Sequence, residues 1–90
     1  MNETKKELKD KFLPIGSVIE VKKNQLMICG YNYSKKPIDG KNCDYVCCLY
    51  PNGVGKESYL IEKKEIDNVL FLGFRDNKYI ELKEEMEAVK

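Results

Sequence analysis

Four cysteines, Cys29, Cys43, Cys47 and Cys48, are the side chains of this 90-residue chain best equipped for chemistry. Thiols can ligate a metal, pair as a disulfide or attack as thiolates. Their spacing argues against zinc. There is no C-x-x-C pair, no histidine completes a ligand set, and Cys47 and Cys48 are neighbours that an extended strand sends to opposite faces. Without histidine the common general base of neutral pH is also missing, so a nucleophilic cysteine would depend on Lys or Asp/Glu activation. The preferred reading of the four is structural, as small buried hydrophobes, ahead of a redox or disulfide role and of a metal site.

The other chemical motifs read the same way. Gly53-Val54-Gly55-Lys56 looks like a phosphate loop, but the Walker pattern needs Gly and Ser/Thr where Tyr50 and Glu57 stand. Asn52-Gly53 is instead the favoured content of a hairpin turn. Glu62-Lys63-Lys64-Glu65 reads as a solvated charged face, and Asp67 as a cap or turn residue. The expectation is a protein that is not an enzyme, with no catalytic residue, cofactor or metal.

Composition bounds the class. Sixteen basic and fifteen acidic residues leave a net charge of +1, which provides no overall field for a polyanion. With 34% charged and 42% hydrophobic residues and a mean hydropathy of -0.54, the chain falls among soluble globular proteins. Its length suits a single domain, 1–90. The N-terminus is rich in lysine and acid with no apolar stretch after it, which argues against a cleavable signal peptide. No apolar run can span a bilayer, so the expected location is cytoplasmic, without membrane attachment.

The elements that must position any site follow from periodicity. Thr4 and Glu7 fit a capping box, and Leu8 and Phe12 share a face, predicting a short helix over 3–12 that stops before Pro14. A β region over 17–74 contains five short strands. In the first, Ile19 and Val21 share a face and Glu20 points away; a turn at Lys23-Asn24-Gln25 leads to a strand over 26–33, where Gly30 suggests a bulge. The third strand covers 43–50, with Cys43, Tyr45, Cys47 and Leu49 alternating against Asp44, Val46, Cys48 and Tyr50. The fourth covers 57–61, a helical turn follows over 62–67, and the fifth covers 69–74 with Gly73 as a kink. Asp76 caps a last helix over 76–89 whose stripe is Tyr79, Leu82, Met86 and Val89. The fold class is therefore mainly β with helical ends: a five-stranded antiparallel SH3-like barrel, or else a curled sheet, with closure removing most of the edge-strand liability.

Six tyrosines supply surface candidates. Tyr31, Tyr33, Tyr50 and Tyr59, near the hairpin loops, and the stripe of Tyr79, Leu82 and Met86 are the candidate protein-binding residues. Tyr31, Tyr33 and Tyr50 beside Lys35, Lys36 and Lys56 would serve a nucleic-acid-binding barrel, a weaker reading given the neutral charge. An isologous homodimer through the last helix suits so small a core.

One resemblance runs along most of the chain. Leu13-Pro14-Ile15-Gly16-Ser17-Val18, Leu26-Met27-Ile28-Cys29-Gly30, Asp44-Tyr45-Val46, Leu49-Tyr50-Pro51-Asn52-Gly53, Glu65-Ile66-Asp67-Asn68-Val69-Leu70-Phe71 and Gly73-Phe74-Arg75-Asp76 occur in that order. Together they resemble a family of small Gram-positive bacterial proteins known as domain of unknown function 4176, over roughly 13–82. Cys47-Cys48 depart from that pattern, which fits a structural role for them. Members are encoded beside type VII (ESX-like) secretion genes, LXG-domain toxins and the toxins' small helical partners. The resemblance therefore implies a secretion accessory, a cytosolic adaptor or chaperone binding an LXG toxin or its helical partner. Co-export with a type VII substrate and a role as the toxin's immunity protein are the variants of that expectation.

Overall fold

The computed structural model describes residues 11–55 and 57–88. Most of the helix expected over 3–12 lies outside the described residues, and Lys11 and Phe12 at its end are not helical. Strands β1 (Val18–Val21), β2 (Asn24–Tyr31), β3 (Tyr45–Leu49), β4 (Tyr59–Ile61) and β5 (Asn68–Phe71) form one antiparallel sheet. Their order is β4-β3-β2-β1-β5. A 3₁₀ turn, Lys63–Glu65, precedes β5, and helix α1 spans Asn77–Ala88.

The sheet is open, which corrects the barrel expectation. β4 and β5 are consecutive in the chain yet lie at opposite edges and do not pair. The physical reason is length. β4 has three residues, and the connection after it carries Ile66 across the core face, where the side chain is fully buried. That crossover and α1 cover the apolar face, so burial is achieved without closing the ladder.

Alternation assigns the faces as the sequence suggests. Ile19 pairs with Leu26, Ile28 with Cys47, and Tyr45 with Ile61, and all six are buried in one cluster. Residues one step away, Val18, Met27 and Cys48, are paired across β1, β2 and β3 on the opposite face. The register shifts between Ile28 and Gly30, so a bulge falls at Cys29, beside the glycine that suggested it.

Strands β3, β4 and β5 are shorter than the expected 43–50, 57–61 and 69–74, and two boundaries of β2 differ for visible reasons. The first hairpin turns at Lys22-Lys23, both left-handed with φ of 51° and 70°, while Asn24 and Gln25 already pair in β2. Two consecutive positive φ values match the twist of a two-residue hairpin. The Asp67 carboxylate steadies this turn by accepting the Lys22 N–H at 2.8 Å. At its other end β2 stops at Tyr31, because the Asn32 amide turns to donate to the Lys36 and Cys43 carbonyls at 2.8 and 3.1 Å. A loop organised by a side-chain amide replaces further ladder.

The ends of the sheet are tied to the flanking chain. Gly73 donates its N–H to Ser17 Oγ at 3.0 Å, and a Cβ at Gly73 would run into the Ile15 carbonyl. Only glycine permits that approach. Asp76 caps α1 by accepting the Tyr79 N–H at 3.0 Å. Tyr79, Leu82 and Met86 are half-buried against the core cluster.

Candidate functional site

The candidate site begins with the sheet face that α1 does not cover. Because a strand alternates, each apolar run that fills the core must also present side chains on the other side. In β5 the run is apolar in both phases. Val69 goes to the core, while Leu70 and Phe71 are exposed at the sheet edge. Phe71 is paired with Val18 and 63% exposed. A cleft of about 380 Å³ lies here, lined by Val18, Met27, Tyr50, Leu70 and Phe71. Ile15 and Phe74 are also exposed, next in the chain to Gly16 and Gly73, whose backbones approach closely, and Phe74 is 80% exposed. The side chains lining the cleft are apolar or aromatic apart from Gln25.

Residues proposed from sequence fall into two groups. Tyr31 is buried: its ring lies 4.5 Å from Phe12 and its hydroxyl donates to the Leu13 carbonyl at 2.8 Å. Burial, with a smaller contribution from Tyr79, holds that hydroxyl above the usual tyrosine range. Tyr59 is half-buried against the core. Tyr79 stacks on Phe12 with centroids 5.9 Å apart and donates to the Phe12 carbonyl. Tyr33 and Tyr50 are the two exposed members of the set. They follow opposite ends of the β2–β3 ladder, so Tyr31, Tyr33 and Tyr50 do not make one stacking platform. Tyr50 lines the apolar cleft.

Met27, Leu70, Phe71 and Phe74 were not among the sequence candidates. The signal available was the doubly apolar run from Val69 to Phe74, which suits a central strand unless the strand sits at an edge. Strand order decides between the two, and no residue pattern prints it.

The thiols divide by face as well. All four are free. Cys47 faces the core, where burial pushes its thiol up to about 12. Burial also pushes Cys43 up. Cys29 and Cys48 meet on the other face, with the Cys29 Sγ–H donating to Cys48 Sγ at 3.0 Å. Burial first, and then that hydrogen bond, push Cys29 up to about 11. Thiols shifted in this direction are poor nucleophiles at neutral pH.

A second cleft, of about 610 Å³, opens between the C-terminal part of α1 and the loops around β3 and β4. Asp44, Glu62, Lys63 and Glu87 line it, and Asp44 already accepts the Lys63 N–H at 2.8 Å. Among the described residues, no group of three or more His, Cys, Asp or Glu side chains is placed to hold a metal ion. No helix among them is long and apolar enough to cross a membrane.

Comparison with curated proteins and with solved structures gives no match in either case. A family model does match, over residues 12–82, from the segment before β1 into the middle of α1. On that match the chain belongs to the family DUF4176, described as a domain of unknown function.

Proposed function

We propose that the protein is a non-enzymatic, cytoplasmic accessory of a type VII (ESX-like) secretion system. In this reading it is an adaptor or chaperone that binds an LXG-type toxin or one of the toxin's small helical partners. The observation that carries the protein-binding part is the uncovered apolar face with its cleft between Val18, Met27, Tyr50, Leu70 and Phe71. The secretion part rests on the setting implied by the family resemblance.

The chemistry of such a surface is burial. Fully burying one side chain of the size of Phe or Leu is worth about 1.5–3 kcal/mol, so a few anchors suffice for useful affinity. Tyr50, Phe71 and Phe74 are aromatic and exposed, the properties of good anchors. Among the described residues β5 is an edge strand, which adds a second element, because its outer backbone can pair with an extended client segment beside those rings. A client held in this way keeps an apolar segment out of water until export.

The test is titration calorimetry of the purified chain against the toxin's N-terminal region, its C-terminal toxic domain, its helical partner and an oligonucleotide. Micromolar or tighter binding to the N-terminal region or the partner is expected, weakened more than tenfold by joint Phe71→Ser and Phe74→Ser. Binding confined to the toxic domain would make the protein an immunity factor. Salt-dependent binding to the oligonucleotide alone would replace this reading with nucleic-acid binding.

A further inference from the structure

We propose that Cys29 and Cys48 are a reversible dithiol site that forms a cross-strand disulfide with a low-molecular-weight disulfide as oxidant. This inference does not rest on the secretion reading. It begins with the bulge. Met27 pairs with Cys48 and Ile28 with Cys47, after which the register shifts before Gly30. The extra residue in β2 is Cys29, which lies on the face of Met27 and Cys48 and diagonal to Cys48. The two Sγ atoms are 3.0 Å apart, closer than an ordinary contact between sulfur atoms. A disulfide bond is about 2.05 Å long, so closure asks for about 1 Å of travel, within reach of small χ1 adjustments.

The other thiols are excluded by direction. Cys47 faces the core cluster on the other side of the sheet, although it is next to Cys48 in sequence. Cys43 lies before β3, buried, with its backbone carbonyl held by the Asn32 amide. Access also differs within the pair, since Cys29 is only partly buried and Cys48 is 2% exposed. An oxidant therefore meets Cys29 first and Cys48 acts as the resolving thiol.

The exchange balances in two steps. Cys29 Sγ, as thiolate, attacks one sulfur of the oxidant RSSR; its S–S bond breaks, a Cys29–SR bond forms, and RS⁻ leaves and takes up the Cys29 proton through solvent. Cys48 Sγ then attacks Cys29 Sγ, displacing the second RS⁻, which takes up the Cys48 proton. Two electrons pass from the protein thiols to the oxidant, giving the Cys29–Cys48 bond and two RSH. Burial keeps the Cys29 thiol largely protonated at neutral pH, so the first step is slow. The adjacent Cys48 makes the second step fast. The closed loop would join β2 to β3 across residues 30–47.

The experiment treats the full chain with excess oxidised glutathione at pH 8 without denaturant, quenches with acid, and then measures intact mass and, in denaturant, alkylatable thiols. The mass should fall by about 2 Da as two hydrogens leave. Alkylatable thiols should fall from four to two. Both changes should reverse with reductant, persist in Cys43→Ser and Cys47→Ala, and vanish in Cys48→Ala. In Cys29→Ser, a partly buried site whose substitution spares the core, they should vanish with the circular dichroism spectrum unchanged. A stable glutathione adduct on Cys29, a thiol count that stays at four after treatment of the folded protein and unfolding, or a linkage through Cys43 or Cys47 would each overturn the proposal.

Discussion

Both faces of the sheet carry apolar side chains and treat them differently. On one face Ile19, Ile28, Tyr45 and Cys47 are shut from water by α1, by the Phe12–Leu13 segment and by the crossover at Ile66. On the other, Val18 and Cys48 are also buried and Met27 is half-buried, while Tyr50, Leu70 and Phe71 remain in water. The covered face also has its polar atoms organised. Tyr45 Oη accepts the Leu13 N–H at 3.0 Å and donates to the Lys11 carbonyl at 3.2 Å, so the sheet and the segment over it are joined by hydrogen bonds as well as contact. The large buried cluster therefore lies on one face, while the other combines a few buried residues with exposed apolar side chains at its edge.

Adjacent residues of β2 give the sharpest way to break that contrast. Ile28→Ala removes a fully buried side chain and should destabilise the protein by about 2–5 kcal/mol. Met27→Ala, one residue away on the other face, should cost about 1 kcal/mol or less. Urea denaturation of both variants measures the difference. Equal losses would mean that the outer face is as much a core as the inner one.

Alkaline pH probes the covered face without mutation. Cys47 has its thiol raised from 9.0 to about 12 by burial, and burial also raises the hydroxyls of Tyr31 and Tyr45. For a group whose folded value is raised, the unfolded chain loses its proton first. The stabilising contribution is complete below pH 9 and declines as pH rises from 9 toward 12. The decline is about 1.4 kcal/mol per pH unit for each such group. Thermal unfolding between pH 8 and 11 should show it, with a shallower slope in Cys47→Ala after allowing for that variant's lower starting stability.

Asp76→Ala acts on the cover rather than the sheet. Loss of the cap on the Tyr79 N–H should cost about 1 kcal/mol. Amide exchange should quicken in α1 and at its contact with Phe12, while β1 and β2 stay protected. Exchange that quickens evenly across the sheet would show that helix and sheet open as one unit.

Much of this arrangement is legible in the sequence, and the reason is period. The alternation of Ile19 with Glu20, and of Tyr45 and Cys47 with Val46 and Cys48, states which side chains share a face. The helix stripe of Tyr79, Leu82 and Met86 and the cap at Asp76 are equally local. What depends on distant pairing was not legible. Closure turned on β5 pairing with β1 and not β4, and the first hairpin turn turned on a carboxylate 45 residues away. The same limit explains the site. Tyr31 and Phe71 are both aromatics in apolar strands, and only strand order makes one a core residue and the other a surface anchor.

The smallest predicted effect is also the most discriminating for the open face. Phe71→Ser removes a ring that is 63% exposed, so it should change stability by no more than about 0.5 kcal/mol. It should nevertheless lower the binding of a fluorescent apolar dye, because the ring walls the cleft with Val18 and Met27. A silent stability result with weakened dye binding means that the side chain is kept in water at little benefit to the fold. A loss above about 2 kcal/mol would instead place Phe71 among the residues that hold β5 on the sheet. The apolar face would then be the outer half of a thin core, and the case for a docking surface would fall back on Tyr50 and Phe74 alone.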